Sequence, residues 1–102
     1  MNHAQMEEKI RSIIYTGIDA INEELPVSSH ISKNDETVLV GSNGAIDSLH
    51  LINLLIYVDD MVAEQLNVSL SLMNELENML VENGPLSSIS QFVSYIIRLI
   101  GD

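Results

Sequence analysis

The residue types in this chain that could do covalent or metal chemistry are serine, histidine and paired acids. Among the serines, Ser48 stands out by its setting. It follows Gly44-Ala45-Ile46-Asp47, a glycine-led turn ending in an acid, and precedes a periodic apolar run beginning at Leu49 and Leu51. A serine there sits where a loop becomes a helix, exposed and beside the positive helix end. An anion attached to its hydroxyl would lie close to backbone N–H groups that no helical carbonyl uses. The plain alternative is a serine that merely starts a helix, a common use of the residue. As a hydrolytic nucleophile Ser48 lacks its partners. His50 is too near along a helix start to face it, and no G-x-S-x-G elbow surrounds it. His3 and His30 have no fixed relation to it, so the histidine base with an orienting acid is missing.

His3, His30 and His50 are dispersed without ligand spacing, and no metal site is expected from them. His50 reads as a solvent-facing residue. Asp59-Asp60 reads as a solvated helix face, with no EF-hand pattern around it. The chain has no cysteine, which removes disulfides, thiolate metal sites and a cysteine nucleophile together. That composition fits a reducing compartment.

The elements that must position Ser48 follow from periodicity. Ile10, Ile13, Ile14, Ile18 and Ile21 predict a first helix over 6–22. Gly17 lies within it, where a missing side chain lets another helix approach, and Pro26 follows its end. Residues 23–47 read as a long connection with Pro26, Asn34-Asp35 and Gly41-Ser42-Asn43-Gly44. Connections of this length are uncommon inside small domains and are often functional. Within it, Thr37-Val38-Leu39-Val40 has no second strand to pair with, so it reads as an apolar plug for a helical bundle.

The second helix is expected from about Ser48 to Gln65, capped by Asp47, with Leu51, Leu54, Leu55, Val58 and Val62 as its buried stripe. Leu72, Met73, Leu76, Met79 and Leu80 predict a third helix over roughly 71–82. Asn83-Gly84-Pro85 would end it, with Gly84 at the C′ position. A fourth begins near Ser88, where Ser88 and Gln91 match a capping box. Ile89, Phe92, Val93, Ile96, Ile97 and Ile100 form its stripe. The 102 residues suit one domain, 1–102, with one small core. Hydrophobic residues make up 46% of the chain, enough to fold, and three tyrosines and one phenylalanine leave the core to aliphatic side chains. The expected fold class is all-α, a small four-helix bundle.

Fifteen acids oppose Lys9, Arg11, Lys33 and Arg98, a formal charge of −11. Such a field repels nucleic acid and anionic lipid and attracts basic protein surfaces. The polar, acidic first residues lack the basic start and apolar run of a signal peptide. No stretch is apolar long enough to cross a membrane. A cytoplasmic protein is the default expectation.

The Asp47-Ser48-Leu49 motif, at the start of a helix in an acidic all-helical chain of this size, resembles the attachment motif of the acyl and peptidyl carrier proteins. The order of elements is similar too: first helix, long loop between helices 1 and 2, modified serine, shorter third helix, closing fourth helix. The resemblance covers most of the chain and is clearest from about Asp35 to Leu66, and again in the last helix. It implies a stand-alone carrier, no enzyme itself, of acyl-carrier-protein type. A phosphopantetheinyl transferase would place 4′-phosphopantetheine from coenzyme A on Ser48. The arm's thiol would then carry acyl or aminoacyl thioesters between partner enzymes in fatty-acid-like or specialised biosynthesis.

The resemblance further implies that Asp47 and Leu49 belong to the recognition surface. Partner enzymes would dock basic patches on the second helix, at Asn53, Asp59, Asp60 and Glu64 with Ile52 and Met61 as apolar contacts, and the carrier would be monomeric. The chain departs from the commonest fatty-acid carriers at His50 and Asn53, where those have acids, which points to a specialised system. Leu54, Leu55, Val58 and Ile97 would permit an aliphatic guest. The competing expectation is an acidic helical adaptor that binds partners and is never modified.

Overall fold

In a computed structural model, residues 2–40, 46–81 and 83–101 are described. Helix α1 spans His3–Asn22, α2 Ser48–Leu66, α3 Leu76–Met79 and α4 Ile89–Ile100. Two 3-10 turns, Val27–Ser29 and Leu72–Glu75, lie between them. No strand occurs among the described residues, and the Cα radius of gyration, 12.8 Å, is that of a tightly folded chain of this length. Among the described residues no helix is long and apolar enough to cross a membrane.

Helix α1 begins three residues before the expected start at residue 6. Asn2 makes a full capping box, its Oδ1 accepting from the Gln5 N–H at 2.8 Å while its own N–H donates to Gln5 Oε1 at 3.1 Å. The isoleucine stripe at 10, 13, 14, 18 and 21 is buried as its spacing predicts. Gly17 is buried within this face. A Cβ there would lie 2.7 Å from Leu54 Cδ1 and 3.0 Å from Tyr57 Cδ2, so α2 can lie against α1 only because the side chain is absent.

All five stripe residues of α2 are buried, and so are Ile89, Phe92, Val93, Ile96 and Ile97 of α4, where Ile100 is half-buried. Ser88 Oγ accepts from the Gln91 N–H at 3.1 Å, the forward bond of the expected capping box. The expected third helix over 71–82 is instead a 3-10 turn followed by the single α turn of α3. Only Leu72 and Met79 of its stripe are fully buried, while Met73 and Leu80 are exposed, so there is no continuous apolar face to sustain a helix. The chain reverses at Asn83, which takes the left-handed conformation at φ 58°, in place of the expected Gly84.

The 23–47 connection is pinned rather than draped. Asn22 clips it to the end of α1, its Nδ2 donating to the Ile31 carbonyl at 3.0 Å and its Oδ1 accepting from the Ile31 N–H at 2.7 Å. Arg11 pairs with Asp35 and Lys33 with Asp19, each at 2.8 Å. Leu39 plugs the core, fully buried as expected, and the Leu39 and Val40 N–H groups both donate to the Leu86 carbonyl. The carbonyls of Thr37 and Asp35 in turn accept from the Ile89 and Ser90 N–H groups at the start of α4. The glycine-rich stretch 41–45, including Gly44, lies outside the described residues.

Candidate functional site

Ser48 is the first residue of a 19-residue helix and is exposed. Its position is fixed by Asp47, the N-cap, whose Oδ1 accepts from the His50 N–H at 2.9 Å. The second carboxylate oxygen of Asp47 lies 2.8 Å from His50 Nδ1. These bonds from the His50 backbone and ring hold the Asp47 carboxyl below its ordinary range.

His50 therefore does not face solvent as its sequence setting implied. Its side chain is only 17% exposed, turned back onto Asp47, with Nε2 3.8 Å from Glu24 Oε2 beyond the end of α1. A hydrolytic serine would need Nε2 to take its proton. That atom is directed at Glu24, and no side-chain hydrogen bond joins Ser48 to His50 among the described residues. Helical spacing signals the Asp47–His50 contact, three residues apart on one face. Glu24 could not be found from sequence, because only the folded connection brings it near.

Beside Ser48 opens a groove of about 460 Å³, lined by Val40, Ile46, Asp47, Ser48, Leu51, Ile52, Leu76 and Leu80. Among the described residues its walls are aliphatic apart from Asp47 and Ser48 at the rim. Of its residues, Asp47 and Ile52 stood among the expected recognition contacts. Leu54, Leu55, Val58 and Ile97, expected to receive an aliphatic guest, are packed inside the core, and the space lies one layer outward. A second cavity of about 370 Å³ lies behind Asp47, floored by Ile21, Leu25, Ile31 and Ile46 with Ser29 and His50 at its edge.

The outer face of α2 carries Leu49, Asn53, Ile56, Asp60 and Glu64, all exposed, with Ile52 and Met61 half-buried at its margins. Leu49 is 67% and Ile56 47% exposed, an apolar start that gives way to acids. Ile56 was not among the sequence candidates, although its spacing from Leu49 and Ile52 puts it on their face. Asp59 behaves differently from Asp60. It is half-buried, and both its carboxylate oxygens accept from the Leu72 N–H, at 3.0 and 2.9 Å. Burial pushes its pKa up, the Leu72 N–H pulls it down, and neighbouring Asp60 adds a further push upward.

Charge is divided along the chain. No lysine or arginine occurs between Lys33 and Arg98, so α2 and α3 carry only acids, while Arg11 and Lys33 are spent pinning the connection to α1. Among the described residues, no group of three or more histidines and acids could hold a metal ion. Compared with protein-family models, curated protein sequences and solved structures, the chain matches none.

Proposed function

We propose that this protein is a carrier of acyl-carrier-protein type, in which Ser48 bears a 4′-phosphopantetheine arm. The observation that carries the reading is the placement of Ser48: an exposed hydroxyl at the first turn of a long helix, on the rim of an aliphatic groove. The site fits the group on two counts. The unpaired N–H groups of the first turn of α2 favour an attached phosphodiester, and Asp47, whose charge would oppose that anion, is engaged by His50.

When bound, the arm would supply the thiol that the chain itself lacks, holding cargo as a thioester. The chain's own residues present and shelter. In attachment, Ser48 Oγ attacks the pantetheine-side phosphorus of the coenzyme A diphosphate. One P–O bond forms, the bridging P–O bond breaks, adenosine 3′,5′-bisphosphate leaves, and the serine proton passes to the transferase. Asp47 holds the first turn of α2 in register, and Leu51, Ile52, Leu76 and Leu80 offer apolar surface to an aliphatic cargo.

The face of Leu49, Ile52, Ile56, Asp60 and Glu64 supports docking by partner enzymes through an apolar contact ringed by basic residues. Its mixed character would equally serve an unmodified adaptor, so modification is the deciding property. The test is intact mass after incubation with coenzyme A, magnesium and a promiscuous phosphopantetheinyl transferase. A gain of one phosphopantetheine, absent in Ser48→Ala, is expected. No gain by the folded protein, beside a control carrier that is modified, would favour the adaptor.

A further inference from the structure

The wall of the groove that faces α2 is the 72–80 segment, and it is a separate unit of the fold. Left-handed residues bracket it, Ser71 at φ 56° and Asn83 at φ 58°, so the chain turns sharply on both sides. Its 3-10 turn and the single turn of α3 are too short to be stable alone. Two side chains, Leu72 and Met79, root it in the core. Of the two leucines that line the groove with Ser48, Leu76 is half-buried against the edge of the core and Leu80 is exposed.

Among the described residues two polar tethers attach it, one from each neighbouring long helix. From α2, Asp59 holds the Leu72 N–H with both carboxylate oxygens. From α4, Tyr95 Oη donates to Glu75 Oε1 at 2.8 Å. Asn78 Nδ2 donates to the same oxygen at 3.3 Å, and the Arg98 guanidinium lies over the Tyr95 ring, 5.7 Å from its centre. The tethers join the segment at its first residue and its fourth, just ahead of the two groove-lining leucines. A unit with so little buried surface of its own depends on such bonds for its place, because the hydrophobic contacts that remain permit sliding.

We propose that Asp59 and the Tyr95–Glu75 pair are positioning residues that set the width of the groove at Ser48, by fixing where Leu76 and Leu80 stand relative to α2. Asp59 thereby acts within the molecule, not as a docking contact for partners. The carrier reading enters only in naming the natural occupant, an aliphatic chain attached at Ser48; the width of the groove does not depend on it. Loosening either tether lets the wall move outward about the turns at Ser71 and Asn83, and the groove then holds a longer chain.

The experiment uses no transferase. Because the chain has no cysteine, Ser48→Cys provides a single thiol, to which alkyl chains from ethyl to tetradecyl are joined as mixed disulfides with alkyl methanethiosulfonates. The thermal midpoint is then measured against chain length. In the Ser48→Cys parent the midpoint should rise while added methylenes are buried and stop rising at the length the groove can hold. In Asp59→Asn and in Tyr95→Phe, each made in that parent, the break should come at least one ethylene unit later. Ser94→Ala, an exposed change beside Tyr95, should leave it in place.

A uniform loss of stability would lower every midpoint without moving the break, so a merely structural role gives a different result. The same break in both folded variants as in the parent would overturn the proposal. So would a parent whose midpoint never depends on chain length. Should Asp59→Asn fail to fold, Tyr95→Phe, which keeps the ring and removes only the hydroxyl, decides alone. A protein that passes here yet never accepts phosphopantetheine would sink the carrier reading and leave the groove assignment standing.

Discussion

Substituting Gly17 by alanine sets two effects of known size against each other. In an exposed helix interior the change would stabilise by about 0.8–1.0 kcal/mol through helix propensity. Here the new methyl would lie 2.7 Å from Leu54 Cδ1 and 3.0 Å from Tyr57 Cδ2, well inside the separation of about 3.5–4.0 Å at which carbon atoms attract. Leu54 is fully buried and can yield only by disturbing its neighbours, and overpacking of this kind costs roughly 1–3 kcal/mol. The expected net effect is a loss on the order of 1 kcal/mol, a fall in melting temperature of about 4–8 °C for a domain of this size. Urea or thermal unfolding followed by circular dichroism measures it.

A double-mutant cycle with Leu54→Val isolates the cause. Valine lacks the Cδ1 atom in question, so Gly17→Ala should cost less in that background, or stabilise, with a coupling of about 1 kcal/mol. A Gly17→Ala protein more stable than its parent, or a cycle without coupling, would refute the close-approach argument.

Asn22→Ala should cost roughly 1–3 kcal/mol, since it strips both backbone partners from Ile31, whose side chain is buried; urea unfolding reads the loss. Ser88→Ala should cost about 1 kcal/mol by uncapping α4, visible in the same unfolding curves. Asp47 and Asp59 should show opposite pH dependence. The folded pKa of Asp47 is depressed, so the stability it contributes is present above its unfolded value, near the ordinary 3.8, and is lost as pH falls through the folded value. Asp47→Asn should abolish that acid-side slope in a pH series of thermal melts. The folded pKa of Asp59 is raised, so its contribution is complete below 3.8 and lost as pH rises through the folded value. Relative to its parent, Asp59→Asn should therefore gain stability from acid toward neutral pH; a flat difference across that range would contradict the burial argument.

The long helices were legible because their apolar stripes are one-sided and uninterrupted. The isoleucines of α1 and the leucines and valines of α2 are all buried where their spacing put them. The plug at Leu39 followed from the lack of any strand to pair with its segment. The start of α1 was not legible because its cap, Asn2 with Gln5, is polar and precedes the whole isoleucine stripe. The third helix was overextended because Met73 and Leu80 complete a helical spacing that the tertiary structure does not use. What organises that segment instead is a carboxylate from α2, a contact across thirteen positions of sequence that no local pattern announces. In the candidate site, the placement of Asp47 as cap and Ser48 as first residue of α2 was legible, because helix-start rules fix both. The site was not legible at His50 and in the groove, whose shape depends on how the connection and α3 pack.

The bonds between the 35–40 stretch and the 86–90 stretch bear on the order in which the molecule assembles. Helices α1 and α2 can associate as soon as both form, since each brings its own cap and stripe. The stretch that approaches Ser48 has no such autonomy. The Asp35 and Thr37 carbonyls and the Leu39 and Val40 N–H groups find their partners only when the 86–90 stretch arrives from the far side of α2, and pairing across that separation is the slow part of folding a small chain. Order at the serine's doorstep is thus a late event, and the rate at which it is reached should respond to substitutions at Thr37, Leu39 and Ile89 more than to any change at Ser48 itself.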